Sequence, residues 1–370
     1  MAVVKEPLGA AEAEGRVEAA RPPLLSGNEA IARGAWEAGV RVGAGYPGTP
    51  STEILEALST LEGVNTEWSP NEKVALEVAV GASLGGARAL ATMKHVGVNV
   101  AADPLFSVAY MGVNGGLVVV TADDPGMHSS QNEQDNRLFA RHARIPLLEP
   151  ATPDEAREYT ARAFELSERY DTPVLLRSTT RLSHGTGRVR TGPRVEVAPR
   201  PYHKQREKNV VLPAHGRVRH RWIEEHRIPE LRQESERWAD ALEGQGDVAF
   251  ITAGVPYLYV REAFPAAPVL RLGMTYPLPK AAIHAFAERH AGRTIFVVEE
   301  LEPYLEERIR AMGIALAERP WPRYGELSVR MIRVAVAAAT AAGGAGPETA
   351  NPAGPKGAAA DAPAPLPGRP

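Results

Sequence analysis

The chain has no cysteine. That absence excludes, for this chain itself, a disulfide scaffold, a thiol nucleophile, a cysteine-ligated zinc site and an iron–sulfur cluster. An excess of either charge is also missing: 42 Lys and Arg against 45 Asp and Glu leave a net charge of −3. Such balance argues against a dedicated nucleic-acid binder, which usually carries a strongly basic face. No apolar run approaches the ~20 residues needed to span a bilayer, so no membrane partner is expected. The first 24 residues hold Glu6, Glu12, Glu14 and Glu18 among alanines and lack the apolar centre of a secretion signal. A cytoplasmic location fits these absences. There is no P-loop, no GxGxxG turn after a strand and no repeat of fixed period.

The 370 residues leave room for two domains with real cores, or one large one. Residues 1–23 read as a flexible arm. Residues 336–370 read as a disordered tail, since 23 of the last 30 are Ala, Gly or Pro and supply too little apolar bulk to fold. From residue 24 to 185, helical and strand patterns alternate, which implies βαβ units and a doubly wound parallel sheet. The run Gly116–Ala122 is continuously apolar, as expected of a strand covered on both faces. Residues 186–244 break this rhythm with arginines, prolines and histidines, followed by a polar helix expected near Ile223 to Leu242. They read as a basic linker across the surface, either a solvated face or one that meets a partner or anion. A second, smaller α/β unit covers 245–335.

In open parallel sheets ligands sit beyond the carboxyl ends of the strands, so the loops in those places are the candidates for chemistry. The first is Gly45-Tyr46-Pro47-Gly48-Thr49-Pro50-Ser51-Thr52-Glu53. Its hydroxyls and backbone donors suit an anion, or else Ser51 simply caps the next helix with Glu53 in the first turn. The second, Ser69-Pro70-Asn71-Glu72, has capping-box spacing, which alone would explain Glu72. The helix it opens carries Ala75, Ala79, Gly81, Ala82, Ser83, Gly85 and Gly86, a surface another backbone or a ligand can approach closely. A carboxylate at its head is placed for acid–base work. The third, Asp123 to Asp135, is polar after an apolar strand: a ligand site or a solvated turn. Lys94, His95 and Asn99 follow another strand, and Lys94 is equally an anion ligand or a surface charge. No metal-ligand spacing stands out, so no metal site is expected. A Ser129–His128–Asp124 triad lacks a nucleophile elbow.

Several segments agree, in order, with one family. They are Tyr46-Pro47-Gly48-Thr49-Pro50-Ser51-Thr52, Glu67-Trp68-Ser69-Pro70-Asn71-Glu72-Lys73-Val74-Ala75, Thr92-Met93-Lys94, Asp123-Asp124-Pro125-Gly126 with His128-Ser129-Ser130-Gln131, Gly273-Met274-Thr275-Tyr276-Pro277, and Val298-Glu299-Glu300-Leu301-Glu302-Pro303. The chain resembles the thiamine-diphosphate-dependent 2-oxoacid:ferredoxin oxidoreductases, in particular the α subunit of the indolepyruvate type. The resemblance implies that residues 24–185 are a pyrimidine-binding domain and residues 245–335 a transketolase C-terminal-like domain. It implies that Glu72 bonds N1′ of the aminopyrimidine and promotes the imino tautomer that takes the proton from thiazolium C2. Tyr46, Pro47, Met93 and Asn99 are the other implied cofactor contacts. Thr49, Ser51, Lys94, His128, Ser129 and Gln131 are the implied substrate residues.

Two departures matter. Many relatives hold the substrate carboxylate with an arginine in the loop after the buried strand; here that place reads Asp123-Asp124, leaving Lys94, His128 and Arg137 as candidates. The family's longer α subunits also carry a Gly-Asp-Gly…Asn motif for diphosphate and magnesium, then a cysteine-rich segment, and this sequence has neither. The expectation is a split enzyme, in which a partner chain supplies Mg2+ and 4Fe-4S clusters. The complex would be a homodimer of hetero-units that oxidises an arylpyruvate to an acyl-coenzyme A and reduces ferredoxin. A non-oxidative 2-oxoacid decarboxylase subunit and a non-catalytic scaffold subunit are the alternatives.

Overall fold

The computed structural model describes residues 21–342; the rest of the expected arm and most of the expected tail lie outside the described residues. The strands in chain order are β1 (Leu24–Ser26), β2 (Val42–Gly45), β3 (Asn65–Trp68), β4 (Ala89–Lys94), β5 (Leu117–Asp123), β6 (Leu147–Leu148), β7 (Val174–Thr179), β8 (Thr186–Arg188), β9 (Ala239–Leu242), β10 (Val248–Ala253), β11 (Val269–Leu272), β12 (Met274–Tyr276) and β13 (Thr294–Val298). The first helices are α1 (Gly27–Glu37), α2 (Thr52–Ser59), α3 (Glu72–Leu84), α4 (His95–Val100), α5 (Ala102–Met111), α6 (Arg137–Ala143), α7 (Pro153–Tyr170) and α8 (Thr180–His184).

The larger sheet has the order β12-β6-β7-β5-β4-β2-β3. All its pairs are parallel except β12 with β6. Its central strand β5 is buried along its whole length, and the pleat divides its side chains between two cores. Val118 and Val120 join Ile31, Ile54, Leu58 and Phe164 under α1, α2 and α7. Leu117 and Val119 join Leu76, Val98, Leu105 and Ala140 under α3 to α6. This is the doubly wound sheet expected from the sequence, and each buried Val or Leu contributes roughly 1.5–3 kcal/mol. The smaller sheet, β13-β10-β11-β9, is parallel except at β9.

Three expectations need correction. Residues 186–244 are more than a surface linker. They include helices Pro213–Trp222 and Ile228–Ser235, and Ile223, Ile228, Leu231 and Trp238 are buried in the core of the first unit. Their arginines fasten them down: Arg219 Nη2 donates to Asp171 Oδ2 at 2.7 Å and Arg227 Nη1 to the Ala109 carbonyl at 2.6 Å. The last described helix, Val329–Ala342, runs past residue 336, where the tail was expected to begin. The two units also exchange strands. β9, from the connecting segment, edges the smaller sheet, whereas β12 leaves it and edges the larger one. Gly273 makes that crossing: its N–H donates to the Trp238 carbonyl, its own carbonyl accepts from Glu149 N, and a Cβ there would lie 2.5 Å from the Tyr159 hydroxyl.

Candidate functional site

The strand order sets which loops meet. The parallel register aligns Trp68 with Gly45, Gly45 with Thr92, Lys94 with Ala122, and Asp123 with Thr179. The carboxyl ends therefore form a row along β3, β2, β4, β5 and β7. Along it come Glu72, the Tyr46–Ser51 loop, Lys94, the Asp124–Asp135 loop, and then Thr180 and Arg181.

Glu72 opens α3, but its N-cap is not the expected Ser69. Asn71 caps the helix, its Oδ1 accepting from Val74 N at 3.0 Å, while Ser69 Oγ donates to Glu67 Oε1 at 3.2 Å. The capping role that would have explained Glu72 is thus filled by its neighbour. The Glu72 side chain is half-buried and lies against Gly97 of α4. A Cβ at Gly97 would stand 2.6 Å from Glu72 Cγ and 2.7 Å from its Oε1. Among the described residues, no hydrogen bond or ion pair engages the Glu72 carboxylate.

The other residues divide. Thr49, His128 and Ser129 line a cleft of about 480 Å³ with Thr180, Arg181, His184, Gly185 and Glu326. Ser129 is fixed there by three contacts: its N–H donates to Asp124 Oδ2 at 2.9 Å, its Oγ donates to the Thr49 carbonyl at 3.3 Å, and its carbonyl accepts from Lys94 Nζ at 3.1 Å. Asp124 organises this loop. Burial alone would raise its carboxyl, but hydrogen bonds from Ser130, Ser129 and Thr180 outweigh that and hold it below the usual carboxylate range. Lys94 also packs its stem against Gly48. Tyr46, Pro47, Asn99 and Gln131 are exposed around the row, and Asn99 is paired with the Gln134 amide at 2.8–2.9 Å.

Three candidates are corrected. Met93 is 0% exposed within the core under α3 to α6 and offers a ligand no side-chain surface. Ser51 neither caps α2 by its side chain nor faces the cleft, since it is buried and its Oγ donates to the Gly48 carbonyl at 2.8 Å. Arg137 is 2% exposed and already committed, with Asp135 Oδ2 at 2.5 Å and Glu299 Oε2 at 2.7 Å. It cannot serve as a free carboxylate ligand. Sequence reasoning missed Arg181 and Glu326. Arg181 follows β7, so the rule about strand ends could have found it. Glu326 arrives from the second unit, and no local pattern announces it.

The donor set suits the pyrimidine side of thiamine diphosphate. A half-buried carboxylate without a protein partner, held over a glycine, is what a ring nitrogen needs to bond. Among the described residues no group of three or more His, Asp or Glu gathers as a metal site, and no helix is long and apolar enough to cross a membrane.

Comparison with known proteins follows the same line. Residues 33–245, more than half the chain, match the family described as pyruvate flavodoxin/ferredoxin oxidoreductase, thiamine-diphosphate-binding. The indolepyruvate oxidoreductase subunit IorA of Archaeoglobus fulgidus is 50% identical over 308 residues, covering 79% of this chain and 49% of that protein. Its counterpart in Pyrococcus abyssi is 44% identical over 305 residues, covering 78% and 46%. The chain thus spans about half the length of these relatives. A 2-oxoglutarate:ferredoxin oxidoreductase from Magnetococcus marinus superposes with a TM-score of 0.71 at 18% identity, covering 86% of this chain and 65% of that one. A split-gene transketolase superposes at 0.56 and 15% identity, covering 86% and 98%. These two likenesses concern the fold. By the matched residues, and by the loops they contain, the chain belongs to the thiamine-diphosphate-binding pyruvate flavodoxin/ferredoxin oxidoreductase family.

Proposed function

We propose that this chain is the pyrimidine-side subunit of a 2-oxoacid:ferredoxin oxidoreductase that acts on an arylpyruvate such as indolepyruvate. The names of its relatives support the substrate class, and the unpartnered Glu72 carboxylate over Gly97 is the observation that carries the reading. When bound, thiamine diphosphate supplies the electron sink for decarboxylation. Glu72 offers a carboxylate oxygen to the pyrimidine nitrogen and exchanges a proton there. Tyr46 and Pro47 border the same end of the sheet, while Thr49, His128 and Ser129 line the adjoining cleft and orient the 2-oxoacid. Residues 24–185 form the pyrimidine-binding part and 245–335 the transketolase C-terminal-like part. A partner chain brings the diphosphate site, Mg2+ and 4Fe-4S clusters, with coenzyme A as acyl acceptor and ferredoxin as electron acceptor, in the cytoplasm and as a homodimer of hetero-units.

The test is Glu72→Gln in the complex reconstituted with the partner chain. Acid–base contributions of this kind are typically worth ~10²–10⁴ in rate. Arylpyruvate-dependent viologen reduction should fall by that order while the melting temperature holds. Full activity in the variant would refute the reading. An aldehyde product without acceptor reduction in the wild type would point instead to a non-oxidative decarboxylase.

A further inference from the structure

The cleft beside Thr49 needs a cation for a 2-oxoacid carboxylate, and the arginines near the seam are spent. Arg137 is closed in by Asp135 and Glu299; Arg177 pairs with Asp123 and Glu149, at 2.7 and 2.6 Å, and its one remaining donor, Nη2, is buried away from the cleft surface. Both are buried. Lys94 is held by the Ser129 carbonyl. Arg181 is different. It lines the cleft with Thr49, His128 and Ser129, and its side chain keeps 58% of its exposure. It already binds a carboxylate through two parallel contacts, Nε to Glu326 Oε1 at 2.9 Å and Nη2 to Glu326 Oε2 at 2.5 Å. His128 Nε2 stands 3.8 Å from the same Glu326 oxygen.

Glu326 comes from the second unit, on a segment tied down on either side of it. Gly325 N donates to Glu133 Oε1 at 2.8 Å and Leu327 N to Glu300 Oε1 at 2.9 Å. The protein therefore lays its own carboxylate on the one arginine that lines the cleft among the described residues, in the fork geometry that suits any carboxylate.

We infer that Arg181 is the specificity-determining residue that binds the 2-oxoacid carboxylate, and that Glu326 is an internal carboxylate the substrate displaces. This deepens the reading given above and rests on it for the identity of the substrate. It assigns the role left open by the absence of an arginine at Asp123-Asp124, and it assigns it to a different strand end.

The probes are phenylpyruvate and its carboxamide. Their affinity for the full chain is measured by titration calorimetry, and phenylpyruvate KM and kcat are measured in the reconstituted complex. Arg181→Gln should weaken phenylpyruvate binding and raise its KM roughly ten- to hundredfold, the range for losing a charge-assisted hydrogen bond, with kcat nearly unchanged. The variant should bind acid and carboxamide alike, whereas wild type prefers the acid. Arg181→Lys should recover part of the loss. Glu326→Gln should tighten phenylpyruvate binding, because the competitor has lost its charge. Unchanged affinity in Arg181→Gln, a kcat loss at constant KM, or weaker binding in Glu326→Gln would each overturn the inference while leaving the proposed function standing. If instead the wild-type complex turns over no 2-oxoacid but Arg181→Gln still abolishes the acid preference in calorimetry, the proposed function falls and the carboxylate site stands.

Discussion

One polar loop, Asp123 to Arg137, builds two regions that behave in opposite ways. Its ends, Asp123, Asp135 and Arg137, sink into the seam between the units. There Arg137 meets Asp135, Glu299 and the carbonyls of Glu300 and Glu302, and Arg177 joins Asp123 to Glu149, which accepts from Thr275 Oγ1 at 2.6 Å. Its middle, His128 to Gln131, stays at the surface by the cleft. Charge density does not separate a structural network from a working site; partnering and access do. In the seam the charges are largely spent on one another. In the site, Glu72 has no hydrogen-bond or ion-pair partner among the described residues, and Arg181 is paired with Glu326 while its side chain stays largely exposed.

The sharpest way to break this contrast is Arg137→Ala. It would leave Asp135 and Glu299 buried without their cation, and removing one partner of a buried pair typically costs about 3–5 kcal/mol. Urea unfolding should show that loss. A change below about 1 kcal/mol would mean that the seam is not the rigid half of the pair.

Gly97→Ala acts on the other region. The clash is with a flexible side chain, so the fold can accommodate it, and alanine is the better helix former by up to ~1 kcal/mol. The Glu72 carboxylate, however, must move aside. Thermal stability should hold or rise slightly while turnover in the reconstituted complex falls roughly ten- to hundredfold, as for other misplaced catalytic groups. Equal losses in stability and turnover would erase the distinction between the regions.

Glu300 tests the boundary between them, since it holds the segment that carries Glu326. Burial pushes its carboxyl up to about 7, against the Leu327 N–H and nearby Arg177 and Arg137, which pull it down. A group that binds its proton more tightly when folded favours the folded state fully below its unfolded value of 4.5. That contribution is lost as pH rises toward 7. Glu300→Gln should therefore match wild type near pH 4 and be more stable by about 3 kcal/mol at pH 8. Parallel melting curves at the two pH values check it, and a constant offset would contradict the assignment.

Much of the frame was legible from local patterns. The alternation of elements, the run Leu117 to Ala122 covered on both sides, and the head of α3 at Glu72 all follow from periodicity and turn chemistry, which act over a few residues. Where local rules were ambiguous, they named the wrong partner. Ser69 has the spacing of a cap, but Asn71 is two residues closer to the helix and takes the Val74 N–H. Ser51 looked like a donor toward a ligand, but the tight loop turns its hydroxyl onto the Gly48 carbonyl.

By itself, then, the sequence determined the doubly wound frame, the family and the position of Glu72, because hydrophobic period and short motifs are carried by neighbours along the chain. Only the tertiary structure decided which charges are used up and which are available. Met93 and Arg137 were removed from the site by burial, Arg181 was brought into it just past the end of β7, and Glu326 came from the irregular segment before the last described helix. Those choices depend on contacts between residues far apart in the chain, 162 positions for Arg137 with Glu299 and 192 for Glu133 with Gly325, and no local pattern encodes them.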